Sequence, residues 1–212
     1  KSVDECEAGK EKELRHLDDK ILRFKKQLQQ VATSRDVQRK RRLDSGVAQI
    51  CLIGYTNTGK STLLNQLTKA DVVAENRLFA TLDTTTRELF IEGNKKGVIS
   101  DTVGFIQQLP HNLIEAFKST LSELNYADLL LHVVDISDKN WKEHIKVVSE
   151  ILEELKVEKN MLYVFNKSDV PVDEQVPQEE RELYQPYVTV SATSKEGILP
   201  LVGFLHEWEK EE

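Results

Sequence analysis

The chain has 212 residues, 39% hydrophobic and 31% charged, with a net charge of −7. That allows one domain with a real core plus an appendage, and it excludes a helical membrane span, because no apolar run approaches the ~20 residues required. No secretory leader pattern opens the chain; it begins at Lys1 rather than methionine, as a fragment would. Of the two cysteines, Cys51 lies inside an apolar run and reads as a buried, inert thiol rather than a disulfide or metal ligand. A reducing, cytoplasmic setting is therefore expected.

The charge is uneven. Residues 1–44 hold 13 Lys and Arg against 9 Asp and Glu, while the remaining 168 residues are acidic by 11. From 10 to 37 the apolar positions Leu14, Leu17, Ile21, Phe24, Leu28 and Val31 recur at heptad spacing. The spacing predicts an amphipathic helix whose narrow seam needs a partner: another chain, the globular body or an absent N-terminal segment. The absent segment is favoured. The run "QRKRR" at 38–42 is either a solvated helix end or a phosphate contact for nucleic acid through Arg39, Lys40, Arg41 and Arg42.

After Gly46 strands and helices alternate. "VAQICLIG" predicts a buried strand and "KSTLLNQLTKA" a helix; "RELFIEG" and "KGVISD" predict a hairpin turning through "GNKK". "HNLIEAFKSTLSELNYA" reads as helix, "DLLLHVVD" as strand, "NWKEHIKVVSEILEELK" as helix and "NMLYVFN" as strand. "YVTVSA" predicts the last strand and "GILPLVGFLHEWEKEE" the last helix. This pattern implies an α/β fold: a six-stranded, mostly parallel sheet with helices on both faces and one antiparallel edge strand. The expected division is a helical arm over 1–45 and a nucleotide-binding domain over 46–212.

The chemistry sits at predicted strand ends. "GYTNTGKS" fits G-x-x-x-x-G-K-[ST] between a strand and a helix. Across Gly54, Tyr55, Thr56, Asn57, Thr58 and Gly59 the backbone N–H groups can cradle phosphates at a helix N-terminus. Lys60 can reach the β- and γ-phosphates, the Ser61 hydroxyl can ligate Mg²⁺, and Thr62 follows in the first helical turn. Some 40 residues later "DTVG" places Asp101 to hold the metal through water, with Thr102, Val103 and Gly104 beside the γ-phosphate; alone, such a motif is also a common strand-end turn.

"NKSD" is more discriminating. Asp169 can accept hydrogen bonds from guanine N1–H and the 2-amino group, whereas adenine would leave it unpaired, a difference on the order of 10⁴ in affinity. The Lys167 stem can cover the base, Asn166 can tie this loop to the phosphate loop, and Ser168 lies between them. In "SAT", Ser191 to Thr193, the Ala192 N–H can meet guanine O6. Four motifs in order, each at a strand end, predict a guanine-nucleotide site on the carboxyl edge of a P-loop GTPase fold. The threonine-rich stretch before the hairpin can fold over the phosphates. Thr81, Thr84, Thr85 and Thr86 can each offer a metal-binding hydroxyl, and spacing does not choose among them.

"GYTNTGKSTLLNQLT", "LFATLDTTTR", "DTVGFIQQLPHNLIEAFKSTL" and "LLLHVVDISD" together resemble the HflX family of translation-associated GTPases, from about residue 35 onward. The resemblance picks out Phe79, Ala80, Thr81, Leu82 and Asp83 as a nucleotide-facing switch segment, with Thr81 and Ser61 on Mg²⁺. It implies binding to the large ribosomal subunit, a role in splitting or rescuing ribosomes, and a glycine-rich N-terminal domain of which this chain would carry only the last linker helix. Thr84 stands where the family commonly has proline.

Phe105 occupies the position where such switches often carry a water-orienting glutamine. Its side chain is expected to turn away from the γ-phosphate. Catalysis would then rest on Lys60, Thr81, the Gly104 N–H and Mg²⁺, with slow intrinsic turnover that a partner accelerates. Asn57 either makes a tight turn or holds a potassium ion, and Gln107 or Gln108 is a poorly placed surrogate. His132 is expected in the core, and Trp141 and Trp208 as packing aromatics. Two other readings stand beside the GTP-hydrolysing switch: a GTP-gated RNA- or protein-binding module with negligible turnover, and a signalling GTPase whose heptad helix pairs with a protein. A monomer is expected.

Overall fold

A computed structural model describes residues 46–68, 85–102, 104–105, 121–171 and 175–210. The chain divides into two units, Lys1–Gly46 and Val47–Glu212. The heptad helix, the basic run at 38–42, Gln107 and Gln108 lie outside the described residues.

Six strands form one sheet in the order β2-β3-β1-β4-β5-β6. They are β1 (Ala48–Ile53), β2 (Thr85–Ile91), β3 (Asn94–Asp101), β4 (Leu129–Asp135), β5 (Met161–Asn166) and β6 (Tyr187–Thr189). Only the β2–β3 pair is antiparallel. Four α-helices are described: α1 (Lys60–Thr68), α2 (Trp141–Glu154), α3 (Gln178–Arg181) and α4 (Leu199–Glu207).

Strand alternation explains why helices cover both faces. Ile50 and Leu52 of β1 join Leu63, Leu64 and Leu67 of α1 and Leu201 and Leu205 of α4 in one apolar cluster. Cys51 and Ile53 point the other way, into a cluster with Val148 and Leu152 of α2. A third cluster packs Trp141 and Ile145 against Val134 and Phe165. His132 is 1% exposed, as expected of a core residue. Trp141 meets Phe165 and Tyr184 edge to face, and Trp208 packs on the first cluster.

Several boundaries differ from the sequence reading. The hairpin turn is tighter: Glu92 and Gly93 both take positive φ, and Asn94 and Lys95 already belong to β3. β6 keeps three residues, and Ser191 and Ala192 lie beyond it. The last helix ends at Glu207 with Trp208 extended. Residues Ser122–Tyr126 form a 3-10 turn.

The backbone of Phe105 pairs with the phosphate loop: its N–H donates to Gly54 O at 3.1 Å, and its carbonyl accepts from Thr56 N at 2.9 Å. The ring is 1% exposed, among Ile53, Leu121, Leu124, Leu130 and Val148. A glutamine there would bury an amide in an apolar pocket. Phe105→Gln is therefore expected to lower the free energy of unfolding by about 2–4 kcal/mol, read from urea denaturation; an unchanged midpoint would contradict the packing role.

Candidate functional site

β1 sits between β3 and β4, so the chain leaves the sheet in opposite directions on its two sides, the place where open α/β sheets bind ligands. Register aligns the strand ends: Leu52 lies beside Asp101, and Asp135 beside Asn166. The residues after β1, β3, β5 and β6 therefore share one edge.

Between β1 and α1 the loop turns through Asn57, with φ of 61°, and Gly59, with φ of 94°. Left-handed backbone of this kind makes an anion-binding concavity ahead of a helix N-terminus. Gly59 is needed for space as well, since a Cβ there would strike Asn166 Nδ2. Asn57 is exposed and Thr58 buried, and Thr58 Oγ1 donates to Tyr55 O at 3.1 Å.

Lys60 opens α1 with its ammonium inside the loop, donating to Gly54 O at 3.1 Å and Tyr55 O at 2.8 Å. Burial pushes its pKa down to about 8, partly offset by the negative charge of Asp101. Ser61 Oγ donates to Asp101 Oδ2 at 2.5 Å, so a hydroxyl and a carboxylate meet across 40 residues of sequence. Two hard oxygens side by side suit Mg²⁺. Gly104 lies against the loop: a Cβ there would come 3.0 Å from Thr56 Cα and 3.1 Å from Lys60 Nζ. Thr102 is committed elsewhere, donating to Leu52 O at 2.6 Å, and Thr62 is half-buried on α1.

Asn166 joins the phosphate loop to the loop after β6. Its Nδ2 donates to Thr58 O at 2.8 Å, and its Oδ1 accepts from Ala192 N at 3.0 Å. The Ala192 N–H expected to face guanine O6 thus has a protein partner here. Asp169 Oδ1 accepts from Ser191 Oγ at 2.6 Å, and that hydroxyl also lies 2.6 Å from Thr193 Oγ1. Ser168 N donates to Val190 O at 3.1 Å. Lys167 takes φ of 68° and forms an ion pair with Asp135. Asp135 is fixed in turn by Ser137, whose N–H and Oγ both donate to its Oδ1 at 2.9 and 2.6 Å.

The structure therefore brings together Gly54 to Ser61, Asp101, Gly104, Asn166 to Asp169 and Ser191 to Thr193. Phe79, Ala80, Thr81, Leu82, Asp83 and Val103 lie outside the described residues. Of the four candidate threonines, Thr81 and Thr84 lie outside the described residues. Thr85 and Thr86 belong to β2 rather than a loop, and Thr86 Oγ1 lies 2.8 Å from Ser100 Oγ. Sequence reasoning missed Asp135; its signal was an acid closing an apolar run, one strand from "NKSD". Among the described residues no group of three or more His, Cys, Asp or Glu could hold a metal.

Residues 49–167 match the model of a family described as 50S ribosome-binding GTPase. The chain is 44% identical over 186 residues to GTPase HflX of Caldanaerobacter subterraneus subsp. tengcongensis, covering 87% of this chain and 42% of that protein. It is 41% identical over 199 residues to GTPase HflX of Escherichia coli K12, covering 93% and 47%. It thus spans less than half the length of these curated relatives. Among solved structures, SsGBP in complex with GDP is similar at 30% identity and a TM-score of 0.58, over 76% of this chain and 49% of that one. Era of Aquifex aeolicus bound to GDP and aluminium fluoride shares the fold, at 21% identity and a TM-score of 0.62 over 78% and 58%.

One buried titratable group lies behind the loop. His132 pairs in register with Ile53 at the end of β1, and burial, helped by the positive charge of Lys60, pushes its pKa down to about 3. The folded protein keeps this imidazole neutral, while the unfolded chain protonates it near its ordinary value of 6.5. The linked stability is complete above pH 6.5 and is lost as pH falls towards 3. Between pH 7 and 4.5 the wild type should lose about 2–3 kcal/mol more unfolding free energy than His132→Leu. Equal losses in urea titrations would contradict a buried neutral imidazole.

Proposed function

The chain belongs to the HflX family of GTPases, within the 50S ribosome-binding GTPases, and on that premise we propose that it is the nucleotide-operated part of a ribosome-associated switch. It binds GTP and hydrolyses it to GDP and phosphate, and its state governs association with the large ribosomal subunit in ribosome splitting or rescue. Residues 1–45 serve as a helical arm and 46–212 as the nucleotide-binding domain. Arg39, Lys40, Arg41 and Arg42 contact ribosomal RNA phosphates, and the protein works as a monomer in the cytoplasm. One observation carries the reading: the Asn166 carboxamide links the phosphate loop to the Ala192 loop, making one continuous edge from lysine to base-reading acid.

On this reading Gly54 to Thr62 hold the phosphates, Lys60 places its charge on the β- and γ-oxygens, and the N–H of Gly104 faces the γ-phosphate. Ser61, with Asp101 through water and Thr81 from the switch segment, holds Mg²⁺, which supplies positive charge for the leaving oxygens. Phe79 to Asp83 close over the nucleotide, and the backbone from Asp101 to Gly104, Thr102 and Val103 included, faces the γ-phosphate while the Thr102 hydroxyl stays on Leu52 O. Asp169 reads guanine, Lys167 covers it, Ser168 and Ser191 to Thr193 shape the rim. Water attacks the γ-phosphorus, the bond to the β–γ bridging oxygen breaks, and GDP leaves with phosphate.

Residue 105 contributes no side chain to the water, because Phe105 is turned into the core. Orientation then comes from backbone groups or from the ribosome, and Asn57, exposed and turned at positive φ, would hold a potassium ion that supplies positive charge if it does more than make the turn. Multiple-turnover GTP assays on the full-length protein are the test. Turnover should be slow alone, rise with large ribosomal subunits, and be faster in KCl than NaCl. A rate unaffected by ribosomes would contradict the switch, equal rates in the two salts would remove the potassium role, and negligible turnover throughout would favour a GTP-gated binding module.

A further inference from the structure

The second residue of the phosphate loop carries an aromatic ring that reaches out of the loop to a neighbouring helix. Tyr55 stacks face to face on His144 of α2, ring centroids 3.8 Å apart and planes 6° from parallel. Both residues are only half-buried, so the contact is not a by-product of core packing. On the main-chain side, Tyr55 O accepts both Lys60 Nζ and Thr58 Oγ1. The same residue therefore receives the phosphate-loop lysine on its carbonyl and a helix on its ring.

His144 is itself well placed to hold still. It lies one turn into α2, where its N–H donates to Asn140 O at 3.0 Å, and its Nδ1 stands 3.7 Å from Asp138 Oδ2. α2 is anchored by Trp141, Ile145, Val148 and Leu152 in two apolar clusters. The loop, by contrast, runs between two glycines at positive φ, Gly54 and Gly59, where the backbone distorts cheaply.

We infer that His144 is a positioning residue for phosphate binding: its ring, stacked on Tyr55, couples the glycine-bounded loop to the rigid helix α2 and keeps it in the form that receives phosphate. The inference rests on the guanine-nucleotide reading of the site. Affinity for a ligand falls by the fraction of time the free protein spends in its binding-competent form. Releasing the ring lowers that fraction without removing any group that touches nucleotide.

The experiment measures the affinity of the full-length protein for N-methylanthraniloyl-GDP in Mg²⁺ by fluorescence titration. His144→Ala favours the helix and keeps the fold, and should raise Kd roughly five- to tenfold, the scale of one aromatic stack. His144→Phe, which restores a ring, should return Kd to within about twofold of wild type. In a Tyr55→Ala background, His144→Ala should have no further effect, because its action passes through that ring. An unchanged Kd in His144→Ala overturns the inference, as does a Phe variant as weak as the Ala variant, or additive effects in the double variant. A wild-type protein that binds no GDP analogue overturns the nucleotide reading and the inference with it.

Discussion

The side-chain amide of Asn166 is the contact on which the rest of the edge depends. It ends β5, is 2% exposed, and uses both its donor and its acceptor on backbone groups of two different loops. A buried amide with both ends satisfied is stable where a half-satisfied one is costly. The phosphate loop and the loop after β6 are thus set at a fixed separation by one short, rigid group. Gly59 follows from the same contact, because a larger residue would occupy the space of the Asn166 amide. Nucleotide selectivity in the proposed function needs this fixed span, since phosphate and base must be met at once.

The second constraint is the pairing of the phosphate loop with Phe105. Two backbone hydrogen bonds hold the segment after Asp101 against Gly54 and Thr56, and the ring anchors that pairing in the core. A glutamine able to orient water would need the side chain to face the phosphates, and the core pocket would then lack its filler. Anchoring and catalysis compete for one residue, and here anchoring wins. The proposed dependence on ribosomes or a bound cation is the functional counterpart of that choice.

Much of the architecture was legible in the sequence because it rests on local rules. Apolar runs gave the strands, "GYTNTGKS" gave the loop, and the strand-end motifs fell on one edge. What was not legible depends on register and on contacts between distant residues. That Asp135 would pair with Lys167 follows only once β4 and β5 are aligned so that Asp135 lies beside Asn166. Tyr55 and His144 are 89 positions apart with no motif linking them, and their stack follows from where α2 docks. The threonines resisted assignment because strand preference and metal chemistry favour the same residue type, so Thr85 and Thr86 gave no hint of belonging to β2. Asn166 could be read as a link between loops, but its second bond, to the Ala192 N–H, could not.

In the proposed function, the demand this edge makes on its ligand above others is guanine. Asp169 stands at the end of the Asn166 loop with Oδ1 held by Ser191, and in the proposed function its carboxylate reads the base. Calorimetric titration of the full-length protein with GDP and with ADP in Mg²⁺ tests this most directly. GDP is expected to bind tightly and ADP more weakly by a factor on the order of 10⁴. Comparable affinities for the two would contradict it, whatever the turnover of either triphosphate.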